Sequence, residues 1–280
     1  MKNLLTCLIS IILTLIICTN TCFAQTKKPY KPRNLSQQVE VNAKDNFIIH
    51  GTFYYYKSKP PVKRPLVVLL HSLGGNQNDF KPLINLLVSS KFNVLAIDMR
   101  GHGLSVKNIN DVTRTWQFFP KSTFLKYPSD VADYYKTVYS KYNKYIDSNK
   151  IVFVGGDIGA NTAILTACEL KIQPKALILL SPTLNFKGLY IPIKLTSLKS
   201  DIMAVSSLND KISMNGIKDV NKYAQNEYLI KLYPKGSNGV SLMYSNPSLK
   251  IDILNFIKSH INWIICFKSF FNNKHKIVHI

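Results

Sequence analysis

The apolar run Ile151–Val154 leads straight into Gly155-Gly156-Asp157-Ile158-Gly159-Ala160-Asn161, and a helix-periodic segment continues to Leu170. A short apolar run that stops at glycines predicts a buried strand, and the periodic segment behind it predicts a helix. The spacing G-x-D-x-G leaves only a sharp turn between them. Glycines flank the aspartate because the two backbones approach closely there. Such turns present a side chain at the end of a strand, but they also cradle phosphates. Taken alone, the turn leaves both uses open.

Its surroundings narrow the architecture. Leu66–Leu70 (entered from Pro65), Phe92–Ile97, Ala176–Leu180, Ile202–Val205 and Tyr228–Leu232 are further short apolar runs of the buried parallel kind. Helical periodicity marks Phe80–Val88, Ser129–Tyr142, Gly159–Leu170 and Leu249–Ile264. Val39–Val41 and Phe47–Tyr56 read as paired strands joined through Lys44-Asp45-Asn46. Strands alternating with helices predict an α/β fold, a mostly parallel central sheet with helices on both faces. In the helix from Ser129, the stripe Val131, Tyr135, Val138 and Tyr142 reads as core packing. A 46% hydrophobic composition can bury such a core and excludes a disordered chain. With a single long apolar run, a polytopic membrane protein is excluded as well.

That run lies at the start. Lys2, the apolar stretch Leu4–Cys18 and the small-residue end at Ala24 read as a secretory signal over residues 1–24, an N-terminal anchor being the alternative. A Lys/Pro-rich leader (25–36), one α/β domain (37–264) and a basic tail (265–280) would follow. Export to the periplasm or beyond is expected, leaving Cys168 and Cys266 in the mature chain, which are no disulfide framework. Metal-ligand spacings are missing, so neither metal nor cofactor is expected. The balance of 36 Lys+Arg against 15 Asp+Glu gives a formal charge of +21. The lysines are dispersed, which suits weak contact with acidic surfaces and no specific nucleic acid.

Five segments fall in a telling order: His71-Ser72-Leu73-Gly74-Gly75, Asp98-Met99-Arg100-Gly101-His102-Gly103, the turn at Asp157, Ser206-Ser207-Leu208-Asn209-Asp210, and Pro234–Val240. In these the chain resembles the α/β-hydrolase superfamily over Val39 to Trp263, in particular its lid-poor dienelactone hydrolase and serine esterase/aminopeptidase-like branch. Thr183–Ser200 is too short for a cap domain. The resemblance implies a nucleophile elbow at Asp157, a triad acid at Asp210, the triad histidine place at Asn238, and oxyanion amides on Leu73 and Ile158. Two of the three triad side chains depart from the pattern, which has Ser at the elbow and His in the late loop.

Asp157 needs no deprotonation to act as a nucleophile, but water must still be activated to release its ester, and Asn238 has no basic nitrogen. His260 lies well past the loop, inside the closing helix, and His71 and His102 are expected to hydrogen-bond loop backbones. Two further expectations follow. Asp157 should be stabilised as an anion at the helix start, and the Asn238 amide should bridge Asp157 and Asp210. The sequence therefore points to an exported, catalytically impaired hydrolase-fold protein with a binding or scaffolding role and a small acyl or ester ligand. The alternative is an active hydrolase using Asp157 or an unrecognised base.

Overall fold

The apolar runs form the middle of one sheet. In the computed structural model, which describes residues 33–261 and the backbone of 277–279, the strands are β1 (Arg33–Asn42), β2 (Ile48–Lys57), β3 (Arg64–Leu70), β4 (Asn93–Asp98), β5 (Ile146–Gly156), β6 (Ala176–Leu180), β7 (Asp201–Ser207), β8 (Tyr228–Tyr233) and β9 (Ile277–His279). Their order across the sheet is β1-β2-β4-β3-β5-β6-β7-β8-β9. β2 pairs antiparallel with β1 and β4, and every later pairing is parallel.

Because side chains alternate along a strand, β3 feeds two cores. Leu66, Val68 and Leu70 join one, and Val67 and Leu69 join the other. The first core is closed by helices α2 (Tyr127–Tyr142) and α3 (Ile158–Leu170), the second by α1 (Lys81–Ser89) and α5 (Leu249–His260). The stripe on α2 is core, as expected: Val131, Tyr135, Val138 and Tyr142 are buried. On the same helix, buried Tyr134 satisfies its hydroxyl on the Val39 carbonyl at 2.8 Å. Between β6 and β7 there is only a two-residue hairpin (Asn185–Phe186 with Leu189–Tyr190) and the single turn Pro192–Leu195, so among the described residues no large cap is inserted there.

Three boundaries differ from the sequence reading. Residues 33–36, assigned to the leader, already belong to β1, where Arg33 pairs with Lys57 and Ser36 with Tyr54. Their polarity is that of an edge strand with one neighbour, which composition cannot tell from a solvated leader. Residues 277–279, assigned to a loose tail, run parallel to Ile230–Leu232 at the opposite edge. Helix α4 (Lys211–Asn221) was not anticipated, since Gly216 and the polar Ser-Met-Asn run weaken its pattern. Gly216 is there for space: a Cβ would sit 2.0 Å from the Pro182 carbonyl oxygen. The signal over residues 1–24, the remainder of the leader and Cys266 lie outside the described residues.

Candidate active site

All six parallel strands from β3 to β8 end on the same edge, and the five sequence segments leave from those ends. At β5 the chain turns at Asp157, with φ 46° and ψ −112°, before α3 begins at Ile158. A non-glycine residue held there costs about 1–3 kcal/mol. The turn is built for close approach: a Cβ on Gly159 would lie 2.2 Å from the Leu70 carbonyl oxygen, and one on Gly155 2.3 Å from that of Gly159. The elbow of the resemblance is therefore present as backbone, with aspartate at its tip.

Asp157 is only 7% exposed. Burial pushes its carboxyl up to about 6, with the Ser72 hydroxyl beside it acting in the opposite direction and the Asp210 charge adding to the rise. The expectation of a well-stabilised anion is thus overturned. Burial costs more than the surroundings return, and no backbone amide is among the groups that shift this carboxyl. The amides of Leu73 and Ile158 donate to no other protein group among the described residues, which keeps them free in the way an oxyanion-binding pair requires.

The expected Asn238 bridge is absent. Asn238 is exposed, takes an extended φ of −96° and makes no side-chain hydrogen bond where it starts the turn Gly239–Ser241. The loop presents Gly239 instead. Its φ is +56°, and a Cβ there would lie 2.1 Å from Ser72 Oγ and 2.4 Å from Asp157 Oδ2. Two serines fix this loop: Gly239 N–H donates to Ser181 Oγ and Val240 N–H to Ser72 Oγ, each at 2.9 Å. With its amide tied down, Gly239 faces the carboxylate and the Asn238 side chain turns to water. Ser72, singled out only as part of a backbone motif, is the side chain that meets Asp157. Its signal was a hydroxyl between His71 and Leu73, in a loop valued for its amides.

Asp210 also serves otherwise than expected. It caps α4, Oδ1 accepting from Ser213 N–H at 3.0 Å and Oδ2 from the Ser213 hydroxyl. Its charge reaches Asp157, but no side chain joins the two.

Among the described residues, His71, His102 and His260 do not take the place of the triad histidine. His71 Nδ1–H donates to the Ser72 carbonyl (2.8 Å) while Nε2 accepts from Met99 N–H (2.9 Å). His102 Nδ1–H donates to the Arg100 carbonyl (3.0 Å), Nε2 accepts from Gly74 N–H (3.0 Å), and the ring stacks on Trp116 at 5.7 Å. Burial lowers both histidines to about 4, so they are neutral. His260 faces Glu227 and Asp201, at the starts of β8 and β7 and so at the opposite edge of the sheet. Among the described residues no group of His, Cys, Asp and Glu could hold a metal ion.

A family model described as serine aminopeptidase, S33, matches residues 61–237. Among solved structures, a Pyrococcus furiosus esterase superposes with a TM-score of 0.61 at 17% identity, covering 81% of this chain and 93% of its own. An Exiguobacterium antarcticum esterase gives 0.58 at 11% identity, with 79% and 99% covered. An acetyl xylan esterase from Paenibacillus sp. R4 gives 0.61 at 15%, with 83% and 90% covered. No curated protein matches the chain in sequence.

Proposed function

The chain belongs to the serine aminopeptidase S33 family of the α/β-hydrolase superfamily, and we propose that it is an exported member that binds an acyl or ester ligand at the elbow without turning it over. The observation that carries this reading is the partner of Asp157: a serine hydroxyl and a glycine stand where a base would be needed. A carboxylate attacking an acyl carbon expels the alkoxide and forms a mixed anhydride, one attacking an alkyl carbon expels the leaving group and forms an ester, and hydrolysing either requires a water stripped of a proton. Ser72 and Ser181 cannot hold that proton at neutral pH, and both buried histidines spend both ring nitrogens on backbone.

Ligand binding remains chemically open to the site. The Leu73 and Ile158 amides suit a carbonyl or carboxylate oxygen. Exposed apolar side chains (Leu104, Phe118, Leu125, Leu208 and Ile212) lie on segments that follow the strand ends, which suits an acyl chain. Export rests on the signal read at residues 1–24, and the dispersed lysines suit loose contact with acidic surfaces.

A second reading is supported by the 6-range carboxyl next to Ser72, the pairing a serine nucleophile and its base would need. A p-nitrophenyl ester panel of increasing chain length separates the two. The first reading expects no release above buffer. Release with an inflection near pH 6 that Ser72→Ala abolishes would establish the second.

A further inference from the structure

The connection from β6 to β7 leaves the sheet next to the elbow and folds into the hairpin Asn185–Phe186 with Leu189–Tyr190, followed by the turn Pro192–Leu195. Side chains alternate along its strands, so the two paired positions face opposite ways. Phe186 and Leu189 pack on the core, which leaves the other pair, Asn185 and Tyr190, on the outer side. The turn divides in the same manner: Pro192 and Leu195 are buried, while Ile193 and Lys194 are exposed. Two side-chain amides hold the hairpin in shape. Asn161 Nδ2, on α3, donates to the Leu189 carbonyl at 2.7 Å, and Asn185 Oδ1 accepts from Gly188 N–H at 3.0 Å across the tip.

Tyr190 is 53% and Ile193 75% exposed. Either would be ordinary alone, but cations surround the pair. Lys187 stands at the tip, its Nζ 5.9 Å from the Phe124 ring, and the stem of Lys121 crosses Gly188, where a Cβ would lie 2.5 Å from Lys121 Cε. Lys194 follows Ile193. Lys121, Lys187 and Lys194 are exposed and make no ion pair among the described residues. The whole connection Ser181–Ser200 holds no acidic residue.

We propose that this hairpin face docks on the surface of an anionic phospholipid bilayer, Tyr190 and Ile193 entering the headgroup region and the three lysines lying against the phosphates. A soluble polyanion would account for the lysines alone. The apolar pair set among them selects a surface that is acidic outside and apolar beneath. The face uses no elbow group, so the proposal goes beyond the ligand reading and stands whether or not the elbow hydrolyses esters.

Ile193→Trp places a fluorescent reporter on the face, and its emission above that of the parent chain tests the proposal. It is followed with vesicles of phosphatidylcholine alone and of phosphatidylcholine mixed with phosphatidylglycerol, both carrying brominated acyl chains. Quenching is expected on the mixed vesicles and should need about tenfold more lipid, or more, on phosphatidylcholine alone. Lys187→Glu/Lys194→Glu in the same background should weaken it about tenfold or more with an unchanged melting temperature, both lysines being exposed. The reporter senses only its own surroundings, so attachment through the apolar run Leu4–Cys18 does not imitate this result. A reporter left unquenched on the mixed vesicles (contact through charge alone, as with a soluble polyanion), equal quenching on both vesicles, or quenching that the double charge reversal leaves unchanged would overturn it.

Discussion

Two loops at the same end of the parallel strands, those after β4 and β5, treat their charges in opposite ways. After β4, buried Arg100 sits between two carboxylates, with four contacts of 2.7–2.8 Å: Nε and Nη2 to Asp130, Nη1 and Nη2 to Asp45. Lys126 adds a further contact to Asp45 at 2.7 Å, and the guanidinium lies 4.5 Å from the Phe47 ring. After β5, Asp157 is as buried as Asp130 and has a hydroxyl and a like charge for company. The first loop is a closed lattice that holds the edge in shape. The second keeps the strained backbone of an elbow, with the Ser72 hydroxyl and Gly239 beside the Asp157 carboxyl. The contrast teaches that elbow geometry persists through packing demands at Gly155 and Gly159, independent of what stands at the tip.

The largest effect should come from breaking the satisfied loop. Arg100→Met strands two carboxylates, one of them fully buried, and should cost about 3–5 kcal/mol in urea denaturation. The unsatisfied loop should respond with the opposite sign. Asp157→Asn removes a charge that burial penalises, so at pH 7.5 the variant should be more stable by up to about 3 kcal/mol. A raised carboxyl contributes stability that is full below its ordinary value of 3.8 and is lost as pH rises through about 6. The gain should therefore vanish when melting is repeated near pH 4. In the same variant, the lowered values of His71 and His102 mean stability that is present above pH 6.5 and lost as pH falls toward 4.

Gly239→Ala comes next, at about 1–3 kcal/mol destabilising, because its positive φ and the Cβ contacts with Ser72 and Asp157 oppose any side chain. A change below 0.5 kcal/mol would show that the loop does not press on the carboxylate. The smallest effect is the most diagnostic of position. Asp157→Ser/Asn238→His restores the family's residue types and should yield no ester hydrolysis, since the side chain at 238 points to solvent. Nitrophenolate release by that variant would mean that the loop refolds around an imidazole.

The sheet was legible because Leu66–Leu70, Phe92–Ile97 and Ala176–Leu180 are buried on both faces, with Asn93 the single polar residue among them. The first residues of β1 and all of α4 were not, because an edge strand and a surface helix can be polar nearly throughout. The elbow glycines follow from spacing, whereas the amides of Leu73 and Ile158 enter only through the resemblance. Side-chain roles read less well. Placing Asn238 opposite Asp157 required knowing the φ of Gly239, which depends on Ser181 and Ser72, 58 and 168 positions away in contact with this loop.

The central claim is that Asp157 is a resident of the elbow and not a nucleophile. If Asp157 displaced nitrophenolate to form a mixed anhydride and water cleared it at the Asp157 carboxyl carbon, each cycle would place a solvent oxygen in that carboxylate. The protein is to be incubated with p-nitrophenyl esters in ¹⁸O-enriched water and the peptide holding Asp157 weighed by mass spectrometry. The account predicts an unchanged mass, with no acyl or alkyl adduct. Heavy oxygen in the Asp157 carboxylate, or an adduct on it, would contradict the account.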